Sequence, residues 1–389
     1  MKKFYFIDIF ALCIVTLIFS CTPSQQYLKK KGHSVAEDSE YIRVLLLKSH
    51  DMITISSKAR MRITDLKDNR IVYDASRGIV KITPDKIKSR VLIESWNSPL
   101  SIQNTAYRGS IEITNVLGNL HVINLIRMED YIKSVVPSEI PSSWPMEALK
   151  AQAVAARTYA YYHLSNKSNE KGIYDLDATT NFQVYKGISV ETESTSEAVM
   201  KTNGEVIVDN YKPIVAYFHS ACGGRTVDDK YVWIGNDLPY LKSVRCPFCS
   251  NSPNAMWEIF ITIDEIKQHL SVKYKSMGAI KNIAFYKKDG RVVEVRVKSN
   301  SGTINLNGNE FRLLFPTKMI KSLYFTSIKQ GNGLKIKGHG WGHGVGLCQW
   351  GAKGQAENGA SYKKILNYYY HDTKIAKLNG KGKDRYASR

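Results

Sequence analysis

The sequence has 389 residues, of which 43% are hydrophobic and 23% are charged. This composition is typical of a globular protein of two or three domains and excludes a chain too poor in apolar residues to form a core. The 55 Lys and Arg residues outnumber the 35 Asp and Glu residues, which gives a formal net charge of +20. The excess favours an anionic partner such as nucleic acid, a lipid surface or a carboxylate-bearing polymer, although a lysine-rich proteome would give the same balance.

The N-terminus indicates export. Two lysines precede an apolar stretch, residues 9–19, that is too short to span a bilayer and is typical of a signal peptide. The stretch ends in "IFSC", which resembles the lipobox of bacterial lipoproteins and implies acylation of Cys21. A plain secretory signal or an uncleaved anchor is the alternative. We expect a signal peptide over residues 1–20, a polar lipid-anchored tether over residues 21–40, and a position in the cell envelope on the periplasmic or extracytoplasmic face of a membrane.

Export also argues against a nucleic-acid partner. The sequence contains no basic helix with base-reading side chains and no aromatic RNA-binding strand. The expected anionic partner therefore belongs to the envelope.

Short β-branched runs follow the tether. Segments such as "IRVLLL", "MITISS", "RVLIES" and "LHVINLI" alternate with turn residues up to about residue 125. This spacing predicts strands, and we assign residues 41–106 to a β-rich N-terminal region.

The chain then changes to helical sequence. In "WPMEALKAQAVAARTYAYYHL", Pro145 fits the first helical position, Glu147 complements the helix dipole, and the alanines favour helix. Mixed strands, a glycine-rich segment and a short helix in "SYKKILNYYY" follow. This order predicts an α+β fold, with one long helix and a groove in a region that spans residues 107–372, before a basic tail at residues 373–389.

Glu139 stands out because it lies between Pro137 and Pro141 in "VVPSEIP". The two prolines predict a short rigid loop, and Val136 and Ile140 offer an apolar shell. Such a shell raises the pKa of a carboxyl, as a general acid that works near neutral pH requires. A solvated loop glutamate is the alternative.

Four segments in order resemble the SpoIID/LytB family of bacterial cell-wall proteins. They are "SVVPSEIPSSWPMEALKAQAVAARTYA", "YFHSACGGRT" (217–226), "VWIGNDLPYLKSV" (232–244) and "GHGWGHGVGLCQWGA" (338–352), and the resemblance covers about residues 107–371. It implies a lytic transglycosylase that cleaves peptidoglycan glycan strands lacking stem peptides, with Glu139 as the catalytic acid. The alternative within the family is a wall-binding modifier that stimulates a separate N-acetylmuramoyl-L-alanine amidase.

The resemblance also implies residues that bind substrate. Lys150 and Arg157 match family positions and are seven apart, so they share one helix face. They are suited to holding the muramyl lactyl carboxylate or to steering Glu139; a solvated helix face is the alternative. In the last segment, the glycines allow close approach of a ligand, and we expect His343, Trp341 and Gln349 to point into the groove. His343 matches the usual family histidine, and Trp341 is either a sugar platform or a buried side chain.

The cysteines predict a metal site. His219-x-x-Cys222 and Cys246-x-x-Cys249 have the paired spacing of a closed structural Zn²⁺ site with one histidine and three thiolates. The alternative is an oxidised Cys246–Cys249 pair with Cys222 free or paired to Cys348. His219 also lies in the family's "FHS" segment and can serve the groove instead. Cys348 is predicted to be a small buried side chain.

Overall fold

The computed structural model describes residues 41–166, 172–233, 235, 237–316, 318–378 and 386–387. The predicted signal peptide, the tether and Cys21 lie outside this part of the chain. No helix within these ranges is long and apolar enough to cross a membrane.

Eleven strands lie between residues 41 and 177. They are β1 (Tyr41–Ser49), β2 (Ile53–Ser57), β3 (Met61–Asp65), β4 (Arg70–Ala75), β5 (Gly78–Ile82), β6 (Val91–Ser95), β7 (Leu100–Ile102), β8 (Thr105–Tyr107), β9 (Ser110–Val116), β10 (Asn119–Arg127) and β11 (Leu176–Asp177). They are rich in β-branched residues, as strands require.

These strands form two sheets. A seven-stranded sheet has the order β11-β1-β10-β9-β6-β3-β4, in which β11 is parallel to β1 and the other pairs are antiparallel. A four-stranded sheet has the order β5-β2-β7-β8. One apolar cluster includes Ile55 of the smaller sheet together with Ile63, Ile113 and Val122 of the larger sheet. Along β2 buried and half-buried side chains alternate, whereas β6, β9 and β10 of the larger sheet carry continuous runs of buried residues.

Seven α-helices lie within the described residues. They are α1 (Met128–Glu139), α2 (Met146–Asn166), α3 (Glu193–Lys201), α4 (Ile263–Ser271), α5 (Gly308–Leu313), α6 (Gln349–Glu357) and α7 (Tyr362–Tyr369). Short 3-10 helices cover Pro84–Lys86, Ile188–Val190, Asp229–Tyr231, Pro239–Leu241 and Pro247–Cys249. With these helices and sheets the fold class is α+β, as predicted.

Helix α2 is buried on two sides. Val154 and Ala155 belong to an apolar cluster that contains the cysteines, whereas Ala153 and Ala156 belong to a second cluster with α1 and β1. The small alanine side chains allow neighbouring elements to approach the helix axis on both sides. The packing around α2 determines which contacts its charged residues make.

Strands that are distant in sequence pair with one another in this part of the fold. They are β12 (Glu205–Asp209), β13 (Lys212–Pro213), β14 (Phe218–His219), β21 (Leu347–Cys348), β22 (Lys374–Leu378) and β23 (Tyr386–Ala387). One sheet has the order β13-β12-β22-β23, and β14 pairs in parallel with β21. The second pairing places Phe218 opposite Leu347 and His219 opposite Cys348, so it joins two of the four family segments.

Residues 257–338 form an insert with a core of its own. Its strands are β15 (Trp257–Thr262), β16 (Ile280–Lys288), β17 (Arg291–Ser299), β18 (Gly302–Asn307), β19 (Phe325–Gln330) and β20 (Gly333–Gly338), arranged in two three-stranded sheets with α4 and α5. The core of the insert includes Val295, Phe311 and Phe325. Because β15 pairs with β20 from Trp257↔Gly338 onwards, the insert begins and ends at one place, and its two connections run side by side.

Candidate active site

Glu139 is the last residue of α1 and does not lie on a loop. The loop expected from the two prolines is wrong because the fixed φ of Pro137 is compatible with a helix, and α1 is held by fully buried side chains such as Val135 and Val136. The helix ends at Ile140, which is extended (φ −137°, ψ 152°) as the residue before a proline prefers to be.

The carboxyl of Glu139 is half-buried. Burial raises its pKa above the ordinary value, while the Val184 N–H, which donates a hydrogen bond of 3.0 Å to Oε1, and the charge of Lys186 oppose that rise. This direction agrees with the apolar shell inferred from the sequence. The environment therefore favours a protonated carboxyl that one amide can hold in place when it ionises.

Glu139 lines a cavity with a volume of about 490 Å³. The cavity is formed by residues from α1, α2, the segment that follows β11, and the three later family segments. These residues are Glu139, Tyr159, Thr180, Asn181, Phe182, Val184, Tyr217, Phe218, His219, Ser220, Trp233, Trp341, Gly342, His343 and Gln349. Six of them are aromatic, and among these lining residues Glu139 is the only carboxylate and none is a lysine or an arginine.

The aromatic wall contains a stacked pair. The rings of Tyr217 and Trp233 lie 4.3 Å apart with an interplanar angle of 23°. Neither residue was among the sites predicted from the sequence, although both belong to family segments that the sequence analysis singled out. Tyr159 and Phe182 were also missed, because α2 and the segment after β11 carry no spacing that distinguishes a cavity wall from a core.

The structure brings the predicted residues Trp341, His343 and Gln349 to the cavity. The His343 Nε2–H donates to the Phe218 carbonyl at 2.9 Å, and Nδ1 accepts from the Val345 N–H at 3.1 Å. Burial lowers the pKa of His343 to about 3. His343 is therefore a neutral ring near neutral pH, and the hydrogen bonds of both nitrogens fix it in the cavity wall.

Two other contacts hold this segment. Trp341 exchanges main-chain hydrogen bonds with Ala221 at 3.0 and 2.8 Å, and the Gln349 side chain donates to that of Gln152 at 3.4 Å. Gly342 has φ 112°, and a Cβ there would lie 2.8 Å from the Cβ of His219. The glycine permits this close approach between the second and fourth family segments.

Lys150 and Arg157 do not line the cavity. Arg157 is 0% exposed and donates to both oxygens of Glu129, at 2.8 and 2.7 Å, and to the Glu205 carbonyl at 3.1 Å. Lys150 pairs with Glu147 at 2.7 Å. Both cations pair with carboxylates of the protein, Arg157 in the interior and Lys150 in a half-buried pair, so the predicted contact with a substrate carboxylate is corrected.

The predicted metal residues divide between two places. The sulfurs of Cys222, Cys246, Cys249 and Cys348 all lie within 4.8 Å of one another and are buried, and no disulfide joins them. His219 is not a member of this group. Its Nδ1–H donates to the Val345 carbonyl at 3.0 Å, and the residue lines the cavity.

Cys348 therefore replaces His219 as the fourth member of the cluster. The pairing of β14 with β21 carries Cys348 beside Cys222, whose N–H donates to its sulfur at 3.2 Å, and the Gly351 N–H donates to the same sulfur at 3.3 Å. Four sulfurs around a tetrahedral Zn²⁺ lie about 3.8 Å apart. The donor set and its spacing thus fit one zinc ion, and the two amides are donors of the kind that support a thiolate ligand.

Comparison with known proteins identifies the family. The model of the stage II sporulation protein family, SpoIID, matches residues 117–208, and that of a domain of unknown function, DUF8618, matches residues 250–346. Stage II sporulation protein D of Bacillus subtilis (strain 168) is 34% identical over 268 residues, which cover 65% of this chain and 76% of the relative. The chain belongs to the SpoIID family.

Two further relatives are also similar to this chain. An uncharacterized protein of Brachyspira hyodysenteriae is 34% identical over 325 residues, which cover 83% of this chain and 86% of the relative. The amidase enhancer of Bacillus subtilis (strain 168) is 31% identical over 291 residues, which cover 63% of this chain and 40% of the relative.

The SpoIID match contains one side of the cavity. Residues 117–208 include Glu139, Tyr159 and the segment 180–184, whereas Tyr217 and His219 lie beyond the end of the match. Trp341 and His343 fall within the DUF8618 match although they lie outside the core of the insert. The cavity of this SpoIID protein therefore combines residues from both matched regions.

Proposed function

We propose that this SpoIID protein is a peptidoglycan lytic transglycosylase that cleaves glycan strands denuded of stem peptides to 1,6-anhydro-muramyl products. The observation that carries the proposal is the half-buried carboxyl of Glu139, the single carboxyl among the residues that line an aromatic cavity. A glycosidase that uses water normally needs two carboxylates at about 5–9.5 Å from each other. Among the residues that line this cavity there is one.

One carboxyl is sufficient when the nucleophile belongs to the substrate. Protonated Glu139 gives its proton to the glycosidic oxygen as the bond from that oxygen to C1 of the muramyl residue breaks. The C6 hydroxyl of the same sugar forms the new bond to C1, and its proton passes to the carboxylate of Glu139. The Val184 N–H stabilises the carboxylate between these two steps. The carboxyl ends in its starting state, and no water is consumed.

The lining offers aromatic contacts to the sugar rings of a glycan strand. Tyr217 and Trp233 offer flat apolar faces of the kind that stack on sugar rings. None of the lining residues is a lysine or an arginine. The aromatic faces support a glycan strand as the substrate, whereas the choice of strands without stem peptides rests on the family resemblance.

The experiment compares the wild-type protein with Glu139→Gln on purified denuded strands. Mass spectrometry of the released material should find anhydro-muramyl ends with the wild type and none with the variant. Strand binding by the variant should stay close to that of the wild type, because glutamine has the shape of the protonated acid.

A second function is suggested by the relative named amidase enhancer. In this alternative the same cavity holds strands without cleaving them and stimulates an N-acetylmuramoyl-L-alanine amidase. It requires that Glu139→Gln stimulates a purified amidase as well as the wild type does, with no anhydro-muramyl product from either protein.

We also propose that the protein acts at the cell envelope as a lipoprotein anchored through Cys21. The signal-like N-terminus supports this placement, which suits a wall substrate. The variant Cys21→Ala should move the protein from the membrane fraction to the soluble fraction, whereas an unchanged distribution would contradict the anchor.

The four clustered cysteines are proposed to hold one structural Zn²⁺. The ligands would be Cys222, Cys246, Cys249 and Cys348, with His219 left to the cavity. The ion would supply a closed tetrahedral crosslink between segments that are distant in sequence. The proton transfers proposed for Glu139 do not involve it.

A further inference from the structure

Arg291 is a buried cation without a carboxylate partner. It is the first residue of β17 in the insert and is 2% exposed. Its Nη2 donates to the carbonyls of Cys222 and Arg225, the latter at 2.8 Å. Its Nε and Nη1 have no hydrogen-bond partner, and no ion pair involves it within the described part of the chain.

Two other arginines, buried Arg157 and half-buried Arg43, have carboxylate partners. Arg157 forms a two-bond pair with Glu129, and Arg43 pairs with Asp175 at 3.0 Å. A buried guanidinium with only carbonyl acceptors leaves most of its desolvation penalty unopposed. Some other negative charge close to Arg291 would account for its position.

The surroundings of Arg291 point to the cysteine cluster. One carbonyl that it contacts belongs to Cys222, a member of the cluster. Gly344 leaves room for the guanidinium, since a Cβ there would lie 2.7 Å from Nη1, and the ring of Tyr324 lies 5.2 Å from Cζ.

The charge of a metal-bound cluster has the required sign. Four thiolates around one Zn²⁺ leave about two negative charges, and these are buried here. Four protonated thiols without a metal carry no charge. The buried charge of Arg291 therefore stabilises the protein when the cysteine cluster holds a metal and destabilises it when the cluster is metal-free.

We propose that Arg291 is the buried counter-charge of a metal centre formed by Cys222, Cys246, Cys249 and Cys348. The insert then supports metal binding in the domain that contains the cavity, although it supplies no ligand. This inference rests on the proposed zinc centre. It adds a residue that contacts neither the metal nor the substrate and acts through the charge of the ligands.

The test uses the full chain and three substitutions. Arg291→Gln removes the charge and keeps hydrogen-bond donors, Arg291→Lys keeps the charge, and Arg296→Gln removes an exposed arginine from the same strand as a control. Zinc affinity is measured by competition with a chromophoric chelator, and folding is checked by circular dichroism. Loss of an outer-shell partner typically lowers metal affinity about 10- to 100-fold.

We expect zinc affinity to fall by about 10- to 100-fold for Arg291→Gln, by much less for Arg291→Lys and not at all for Arg296→Gln. We also expect the metal-free Arg291→Gln protein to melt at or above the temperature of the metal-free wild type. Equal zinc affinity for wild type and both Arg291 variants would overturn the counter-charge role while leaving the zinc centre intact. A wild-type protein that binds no zinc would overturn the centre itself.

Discussion

The N–H of Val184 donates a hydrogen bond of 3.0 Å to Oε1 of Glu139, in a site where burial raises the pKa of that carboxyl. The two effects act on opposite protonation states. Burial favours the acid that protonates a glycosidic oxygen, and the amide favours the carboxylate that remains. Glu139 is thereby suited to work first as an acid and then as a base.

The first prediction concerns the pH dependence of strand cleavage. Because the first step needs protonated Glu139, the rate should fall as pH rises through its pKa, which lies above the ordinary value of 4.5. Steady-state rates on denuded strands across the pH range would locate this alkaline limb. A rate that declines only at the pH of an ordinary exposed glutamate would contradict the assignment.

The same shift has a consequence for stability. A carboxyl whose pKa is raised by folding adds stability below its unfolded pKa, and this contribution is lost as pH rises through the folded pKa. Glu139→Gln has no charge to bury, so its free energy of unfolding should lack that decline. Urea unfolding of both proteins on either side of the shifted pKa would test this.

The Glu139→Gln substitution should also lower the cleavage rate about 10²- to 10⁴-fold.

A second prediction concerns the aromatic pair. Trp233→Ala removes one face of the stack with Tyr217 and should weaken strand binding about tenfold, the upper end of what such aromatic contacts contribute. Binding is best measured in the Glu139→Gln background, where strands are not consumed. Trp96→Ala is the matched control, since Trp96 directly follows β6 and lies under Arg60 and Arg62. Equal binding by the two variants would show that the stack does not contact the strand.

A third prediction separates the two cations of α2. Arg157→Met leaves Glu129 without its partner and should lower the free energy of unfolding by about 3–5 kcal/mol. Lys150→Met disrupts a partly exposed pair with Glu147 and should cost about 1 kcal/mol or less. Chemical denaturation measures both. If folded Arg157→Met lost strand affinity with unchanged stability, a substrate role for Arg157 would return.

A fourth prediction decides the ligands of the zinc centre. Protein purified without added metal should contain about one zinc per chain, and a chelator should lower its melting temperature. Cys348→Ser should lose zinc, whereas His219→Ala should keep it, because His219 lies at the cavity. Elemental analysis of the two variants provides the comparison. Zinc loss from His219→Ala alone would restore the ligand set expected from the sequence.

Features that depend on neighbouring residues could be predicted from the sequence. The alternation of β-branched residues, the alanine-rich helix and the position of Glu139 in its segment could all be inferred from a few neighbouring residues. The family segments also indicated Trp341, His343 and Gln349, which line the cavity. The helical geometry around Glu139 could not be inferred, because two prolines are compatible with either a loop or a helix end.

Long-range packing accounts for the other differences. Periodicity placed Lys150 and Arg157 on one face of α2 but did not show that Arg157 is buried or that both residues pair with carboxylates of the protein. The paired spacing of the cysteines was visible, whereas the fourth member depends on the pairing of β14 with β21, whose residues are more than a hundred positions apart. The partnership of Arg291 with the Cys222 segment likewise depends on how the insert folds back.

The most direct test of the account is cleavage of denuded strands by the wild-type protein in water enriched in ¹⁸O, with mass spectrometry of the new ends. An internal attack by the C6 hydroxyl predicts anhydro-muramyl ends that contain no ¹⁸O, and no such ends with Glu139→Gln. Reducing ends that carry ¹⁸O would show that water is the nucleophile, and they would contradict the single-carboxyl mechanism.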